Sequence, residues 1–404
     1  MFLQTERLIL GAFTEKDKVA LMELLTDEEI KKTYMIPDFA TEEDAWRLVQ
    51  AFIRLSNTAD RYVVGIFLDG EPIGFMNDTE IDGDRIELGY VISPRYKNKG
   101  YATEALGGMI EYLFGKGFRR VECGAFEENA ASLRVMEKCG MTRIDKTDEI
   151  EYRGQVHRCV YCLAMKSTVR CVWEHNGNDT LLYAADLVGA FTRGECLEAA
   201  VAKMPAEIRS YTRWLGKDLP RDIEVELIQE KSSDLRISDA DSDVIFNCER
   251  EPLTFEEYCV LKALALKSAE DFLRLYHSIT NKDESNLPTR ETFYGKVPRT
   301  AREIYEHTKS VNEYYFAEID VDADNEGTIL DCRQRGFEEL EKKTGFLALG
   351  VMEGSYGELW SLRKVIRRFI WHDRIHAKAM WRMAKAINKN GTTDPFCFDE
   401  LLKG

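Results

Sequence analysis

The sequence predicts a multidomain chain with a mixed α/β domain first, a small α+β module next and a four-helix bundle last. Its 404 residues are too many for one ordinary hydrophobic core, so two or three domains are expected. A strand-like run at residues 85–93 leads through a turn into a helix-like run, which indicates α/β structure in the first part. Beyond residue 252, apolar residues recur at spacings of three and four, which is typical of helices.

We place the boundaries so that the three domains cover residues 1–166, 167–232 and 233–404. In the middle part, stretches in the order β-β-β-α-β lie at residues 170–174, 180–187, 189–195, 196–215 and 222–230. In the last part, four helix-like stretches lie at residues 255–277, 300–319, 333–343 and 358–388. Four helices in this length favour a bundle.

Composition narrows the class of protein. Apolar residues make up 44% and charged residues 31% of the chain, as in soluble globular proteins. The sequence has neither an apolar stretch of about 20 residues nor a cationic and then apolar leader, so we expect a cytoplasmic protein with no membrane partner. A net charge of -16 argues against general nucleic-acid binding, because phosphate contacts need clustered Lys and Arg.

Residues 95–102 have the features of a phosphate-binding turn. They follow the strand-like run and open a helix-like one, where the first backbone N–H groups lack intrahelical partners and the helix dipole favours an anion. Gly100 removes a side chain where a pyrophosphate must come close, and Lys97 and Lys99 add positive charge. The pattern therefore predicts an anion cradle at this turn.

Residues 1–166 as a whole resemble the GNAT superfamily of acyl-CoA-dependent N-acetyltransferases. The superfamily's nucleotide-loop pattern is Gln or Arg, two residues, Gly, one residue, and Gly or Ala; here it corresponds to Lys97, Gly100 and Ala102, with Lys keeping the charge. Residues 128–141 resemble the later coenzyme-contacting helix and turn, and residues 5–10 are typical of the branch that includes ribosomal-protein acetyltransferases.

The resemblance implies that acetyl-CoA donates an acetyl group directly to an amine of a small molecule or peptide, without a covalent enzyme intermediate. It also implies that acetyl-CoA binds at Val91, Ser93, Lys97, Asn98, Lys99, Gly100, Tyr101, Ala102, Asn129 and Ser132.

Two residues are candidates for catalysis. An alkylammonium with a pKa of roughly 10 must lose a proton before it attacks, and Glu87, on the run that lies beside the coenzyme by resemblance, could accept it through water. A Glu that faces solvent or pairs with a basic neighbour is an equally weighted alternative. Many GNAT enzymes carry a Tyr as general acid where this chain has Met136, which cannot donate a proton. Ser132, one turn earlier, is therefore the candidate proton donor. The alternative is that Ser132 is a small residue that allows close packing.

The middle part weakly resembles the HicB-type antitoxin domain over about 60 residues. It contains no group of catalytic residue types, and fold alone does not determine function. A structural or docking role is therefore the preferred interpretation.

Three of the six histidines lie on apolar stripes of the helical part. His372 and His376 are four residues apart, so both imidazoles leave the same helix face, and His307 is in line with Ile304 and Val311. An unsatisfied polar group in a core costs roughly 1 to 3 kcal/mol, so three inward imidazoles need partners. A metal with three nitrogen ligands would supply them, and so would hydrogen bonds from acidic residues or tyrosines.

The helical part resembles the DinB/YfiT-like family of metal-binding four-helix bundles. The resemblance rests on residues 306–308 and 371–376, and it implies a divalent metal held by His307, His372 and His376. Imidazole ligands suit several metals, of which we favour zinc and nickel. Some members of that family are metal-dependent thiol transferases. The alternatives to an acetyltransferase with a metal-binding fusion are therefore a thiol S-transferase or hydrolase centred on the bundle, and a non-catalytic sensor of coenzyme and metal.

Overall fold

The computed structural model describes residues 3–177, 179–237, 242–292, 295–387 and 391–402. The chain forms two compact units. The first comprises Met1–Ser167 with Asp218–Asp222, and the second comprises Thr168–Lys217 with Ile223–Gly404. The division into three domains at residues 166 and 232 stays a prediction.

A mixed β-sheet forms the centre of the first unit. Its strands are β1 (Leu3–Gln4), β2 (Ile9–Gly11), β3 (Val64–Leu68), β4 (Glu71–Asp82), β5 (Arg85–Ile92), β6 (Arg120–Phe126), β7 (Thr142–Tyr152) and β8 (Gln155–His175), whose residues from Thr168 onward belong to the second unit. They pair in the order β1-β2-β3-β4-β5-β6-β8, and β7 also pairs with β8. β5 and β6 run parallel, whereas the other pairs are antiparallel.

Helices cover both faces of this sheet. They are α1 (Lys18–Thr26), α2 (Glu28–Lys31), α3 (Glu42–Leu55), α4 (Tyr101–Gly115) and α5 (Ala130–Lys138). Successive side chains of a strand point to opposite faces, so Phe75 of β4 packs in a core cluster with Leu21 of α1, and its neighbour Met76 packs in another with Ile110 of α4. The mixed α/β structure predicted for the N-terminal part is thereby confirmed.

β5 and β6 separate soon after they begin. In the described part of the chain their pairing covers Arg85–Glu87 of β5 and Arg120–Glu122 of β6, and both strands then continue without pairing to each other. The parallel strands thus open a cleft between them at their carboxyl ends. A gap of this kind leaves backbone groups of β5 free to bind a ligand.

The second unit begins with a small sheet and a helix. The end of β8 pairs with β9 (Thr180–Ala184), β9 pairs with β10 (Phe191–Gly194), and β11 (Asp222–Ser232) also pairs with β8. α6 (Leu197–Trp214) lies between β10 and β11 in sequence and packs on β9 and β10. The elements follow the order β-β-β-α-β expected from the sequence.

Four long helices make up most of the rest of the second unit. They are α7 (Phe255–Ser278), α8 (Ala301–Ala317), α9 (Ile329–Lys342) and α10 (Leu362–Ile387). α10 packs against α7 and α8, and α9 packs against the same two helices. Two short antiparallel strand pairs accompany them, β12 (Glu291–Thr292) with β13 (Gly295–Lys296), and β14 (Met352–Glu353) with β15 (Leu359–Trp360). The predicted helical character of the C-terminal region is confirmed.

Threonine caps determine where three of these helices begin. The hydroxyls of Thr254, Thr300 and Thr328 each accept a hydrogen bond from the amide three residues on, and the acidic residue there accepts one in return. Among the described residues, none of the helices is apolar over the length that would be needed to cross a bilayer.

Buried ion pairs fix the rotation of α10. Asp373 accepts hydrogen bonds from Arg333 of α9 at 3.1 and 3.2 Å, and both residues are fully buried. Glu207 of α6 lies 2.9 Å from Arg374 and 2.7 Å from Lys378. Removing one partner of a buried pair costs about 3–5 kcal/mol, so α10 cannot rotate without breaking these contacts. The same rotation sets which face carries His372 and His376.

Candidate functional site

A cavity of about 570 Å³ occupies the cleft between β5 and β6. The end of β5 (Gly89 to Ile92) and Gly124 and Ala125 of β6 form its walls. The turn before α4 and the start of α5 close one side, and Tyr34, which follows α2, lies on the other. Five separate stretches of the first unit therefore meet at one opening.

The predicted anion cradle is part of this cavity. Gly100 precedes α4 with φ = 84°, and Asn98 also has a positive φ of 62°, so the chain turns sharply before the helix begins. Most of the predicted coenzyme residues line the cavity: Val91, Lys97, Asn98, Gly100, Tyr101, Ala102, Asn129 and Ser132. The first amides of α4 therefore face a space that can hold an anion.

Ser93 and Lys99 do not line the cavity. The Ser93 amide donates a hydrogen bond to the Ile73 carbonyl at 2.8 Å, which ties it to the sheet. The Lys99 ammonium lies 5.6 Å from the centre of the Tyr96 ring. The part of Ser93 and Lys99 in coenzyme binding stays a prediction.

The N-terminal motif holds the first turn of α4 in place. The Thr5 hydroxyl and the Arg7 amide donate to one oxygen of Glu104 at 2.6 and 2.7 Å, and the Arg7 guanidinium donates to the other at 2.7 Å. Arg7 also donates to the Lys99 carbonyl at 3.2 Å. Burial opposes the charge on Glu104, but these hydrogen bonds outweigh it and lower the pKa of its carboxyl. Thr5 and Arg7 thus position the turn.

Tyr90 is the residue of this cavity that sequence reasoning missed. Its hydroxyl lies 2.7 Å from the Ser132 hydroxyl and donates to the Ser132 carbonyl at 3.1 Å. Burial raises the pKa of Tyr90, so the phenol keeps its proton at neutral pH. Met136 is fully buried, four residues after Ser132. The available signal was a tyrosine on the strand expected to run beside the coenzyme.

Glu87 lies where β5 and β6 still pair, outside the cavity wall. The Thr79 hydroxyl donates to one of its oxygens at 3.0 Å, and the Lys146 ammonium lies 3.4 Å from the other. Lys146 also contacts Glu122 at 3.2 Å. This geometry is the one that the sequence left open as an alternative, a strand Glu paired with a basic neighbour. A catalytic role for Glu87 stays a prediction.

Tyr34 shapes the end of the cavity opposite the cradle. Its hydroxyl donates to the Asn77 side chain at 2.6 Å, and burial raises its pKa. A Cβ at Gly89 would lie 2.4 Å from that hydroxyl oxygen, so the strand needs glycine there. The Tyr152 hydroxyl donates to the Ile36 carbonyl at 2.9 Å and holds the segment that carries Tyr34. The wall at this end is thus aromatic and rigid.

The three histidines of the helical part come together as the sequence predicted. Ring nitrogens of His307, His372 and His376 lie within 4.8 Å of one another. His307 is exposed and His372 is buried. Burial lowers the pKa of His372 and that of His376, the latter to about 3, and partial desolvation of its ring lowers the pKa of His307, so the imidazoles are neutral at neutral pH.

Part of the histidine cluster is left without a hydrogen-bond partner among the described residues. Nδ1 of His372 is buried and has no hydrogen-bond partner among the described residues. Asp373, one alternative partner, binds Arg333, and Glu303 accepts the amides of Arg299 and Thr300 at the start of α8. The acidic residues considered as partners are therefore engaged elsewhere.

Comparisons with known proteins concern the N-terminal part of the chain. A family model described as an acetyltransferase (GNAT) domain matches residues 7–142. The uncharacterized N-acetyltransferase YnaD of Bacillus subtilis is 34% identical over 147 residues, which are 35% of this chain and 84% of that protein. The chain belongs to the GNAT family of N-acetyltransferases.

Other GNAT relatives are more distant. The FsC-acetyl coenzyme A-N(2)-transacetylase of Aspergillus fumigatus is 27% identical over 154 residues, which are 35% of this chain and 66% of that protein. The solved structure of a GNAT-family acetyltransferase from Bacillus anthracis has 29% sequence identity to this chain. The matched region covers 41% of this chain and 98% of that protein, with a TM-score of 0.37. The likeness of the later regions to HicB and DinB domains stays a prediction.

Proposed function

We propose that the first unit transfers the acetyl group of acetyl-CoA to an amine of a small molecule or peptide. The observation that carries this proposal is the single cavity in which the turn before α4 meets the opening between β5 and β6. The amides at the start of α4 and the Lys97 ammonium would hold the pyrophosphate. The unpaired edge of β5 would receive the pantetheine arm, which places the thioester beside Tyr90.

In this reaction the amine nitrogen attacks the thioester carbon, the carbon–sulfur bond breaks, and the leaving sulfur takes up a proton. We propose that the proton comes from Tyr90, with Ser132 as its hydrogen-bond partner. Both hydroxyls line the cavity and lie 2.7 Å apart. A phenol is intrinsically a stronger acid than a serine hydroxyl, and the raised pKa of Tyr90 keeps it protonated until the sulfur leaves, so the pair donates through Tyr90.

We propose Glu87 as the group that receives the amine's proton through water. The support is its place on β5, just before the strands separate, together with a carboxylate that accepts two hydrogen bonds. Its lysine partner, Lys146, would hold the carboxylate in position. A purely structural ion pair with Lys146 is the competing account.

For the second unit we propose a DinB-like four-helix bundle that binds a divalent cation, zinc or nickel, through His307, His372 and His376. The donor set fits the ion: three imidazoles converge within 4.8 Å, and one buried nitrogen has no other partner. Such a cation, when bound, acts as a Lewis acid toward a thiol or a water molecule. Thiol S-transfer or hydrolysis is therefore the second candidate activity of this chain.

The Gly100→Ala variant tests the coenzyme turn. A side chain at φ = 84° costs roughly 1–2 kcal/mol and displaces the turn, so we expect KM for acetyl-CoA to rise by about 10-fold. Gly70→Ala is the matched control, because Gly70 has φ = 86° and open space around its Cβ position. Both variants should lose stability, measured as Tm, and equal KM values would contradict the assignment.

The Tyr90→Phe variant tests the proton donor. Removing a general acid lowers rates by about 100-fold or more, but the effect is smaller here because a thiolate is a good leaving group. We therefore expect kcat to fall by roughly 10- to 100-fold, with KM for acetyl-CoA unchanged. Tyr62→Phe is the control, since Tyr62 packs against Phe118 away from the cavity. An unaltered kcat in Tyr90→Phe would exclude Tyr90 as the donor.

The Glu87→Gln variant separates the base from the ion pair. If Glu87 relays the proton, kcat at neutral pH falls by roughly 100-fold and part of the activity returns as pH rises, because more of the amine is then neutral. Glu80→Gln, which loses only a contact with Arg85 in the same sheet, should keep its kcat. Should Glu87→Gln and Lys146→Met lose stability alike and keep full kcat, the ion pair is structural.

The His372→Ala variant tests the metal centre. We expect the purified wild-type protein to hold one divalent cation and the variant to bind it at least about 100-fold more weakly. Even the loss of a residue that only hydrogen-bonds to a metal ligand lowers metal affinity by about 10- to 100-fold. His277→Ala, which alters a histidine beside Tyr276 on α7, is the control. Elemental analysis and calorimetry measure both, and equal metal content in His372→Ala would refute the ligand set.

A further inference from the structure

The charged residues that line the cavity of the first unit are all positive. Lys97, Arg134 and Lys138 border it, whereas none of the described residues in its lining is an Asp or a Glu. The chain as a whole has a net charge of -16, so its composition does not account for such a wall. Within the described part of the chain, none of these three cations forms an ion pair. The cavity therefore favours a ligand with several negative charges.

α5 carries two of these cations on one face. Spacings of three and four residues keep side chains on the same side of a helix, and the residues with this spacing all line the cavity: Ala131, Arg134, Val135 and Lys138. Arg134 and Lys138 are exposed and lie one turn apart, about 6 Å along the helix axis. Two flexible cationic side chains at this separation can contact the same phosphate group.

Two contacts of α5 give the cavity a direction. Near the start of the helix, the Ser132 hydroxyl lies 2.7 Å from the Tyr90 hydroxyl, which marks the thioester end in the proposed reaction. Just after the helix, the Cys139 thiol donates to the carbonyl of Thr103, in the first turn of α4, at 3.3 Å. The two cations of α5 come after Ser132, so they lie toward the end of the cavity that holds the anion cradle.

The positive charge of the lining exceeds the charge of a pyrophosphate. Three cations and the partial charge at the start of α4 amount to about three and a half positive charges. A pyrophosphate that is esterified at both ends carries about two negative charges, and a phosphate monoester adds about 1.5 to 2 at pH 7. A ligand with a pyrophosphate and one monoester therefore matches the lining better than a ligand with a pyrophosphate alone.

We propose that Arg134 and Lys138 bind the 3′-phosphate on the ribose of the coenzyme, so that the first unit distinguishes CoA from 3′-dephospho-CoA. This inference rests on the proposed function and adds the residues that select its donor. A guanidinium matches a phosphate in bidentate geometry, and a lysine one turn away adds a point charge. The competing account is structural, because a cation such as Lys138 in the last turn of a helix interacts favourably with the helix dipole.

The test compares two ligands that differ in one phosphate. CoA and 3′-dephospho-CoA are titrated into the full chain, and their affinities are measured by calorimetry. CoA should bind about 10-fold more tightly at low salt, because each ion pair between exposed groups contributes up to about 5-fold. The preference should shrink as salt rises, since ions screen exposed charges. Equal affinities at low salt would overturn the proposal and leave the coenzyme site intact, whereas failure of both ligands to bind would refute the coenzyme site and the inference with it.

Variants assign the preference to the two residues. In the double variant Arg134→Gln with Lys138→Gln, the two ligands should bind within about 2-fold of each other, with the affinity for 3′-dephospho-CoA unchanged. Lys97→Gln should weaken both ligands alike, since Lys97 lies at the turn that would hold the pyrophosphate. Lys116→Gln is the matched control for net charge, because the Lys116 ammonium lies 5.3 Å from the Tyr112 ring and does not line the cavity. A double variant that loses stability, measured as Tm, but keeps the preference would refute the assignment and favour the structural account.

Discussion

The first unit depends on the early separation of two parallel strands. β5 and β6 exchange hydrogen bonds over three residues each and then separate, so the end of β5 has an edge that the neighbouring strand does not satisfy. Buried backbone groups must find partners, and a ligand that lies along the strand can supply them. The cradle before α4 and the hydroxyl pair of Tyr90 and Ser132 all border the space created by that separation.

The same need for partners organises the second unit. Charged groups on α10 are buried, and ion pairs offset much of the cost: Arg374 and Lys378 pair with Glu207, Arg367 pairs with Glu249, and Asp373 pairs with Arg333 of α9. Those pairs fix the helix rotation, and with it the face that carries His372 and His376. Nδ1 of His372 has no hydrogen-bond partner among the described residues, and its ring lies beside that of His307 of α8.

Sequence reasoning worked best where the determinant is local. The turn at Gly100 and the spacing of His372 and His376 depend on neighbouring residues. The sequence alone therefore placed Gly100 just before a helix and both histidines on one helix face. It failed where a partner lies far along the chain. Tyr90 meets Ser132 across 42 residues, and Glu87 meets Lys146 across 59, and neither distance leaves a periodic signal. The hydrogen bond from the Ser93 amide to the Ile73 carbonyl is likewise a property of strand pairing, which the sequence alone does not show.

The departure at Met136 separates the position that resembles the family's tyrosine from the phenol that lies in the cavity. The position that resembles the family's tyrosine holds a thioether that cannot donate a proton, yet the cavity still contains a phenol, carried by the strand that faces α5. A proton is delivered wherever a hydroxyl can reach the leaving sulfur, whichever element carries it. In the mechanism that we propose, the phenol is carried by β5, and its hydrogen bond with the Ser132 hydroxyl fixes its direction. Two hydroxyls on facing elements would then take the place of one on a helix.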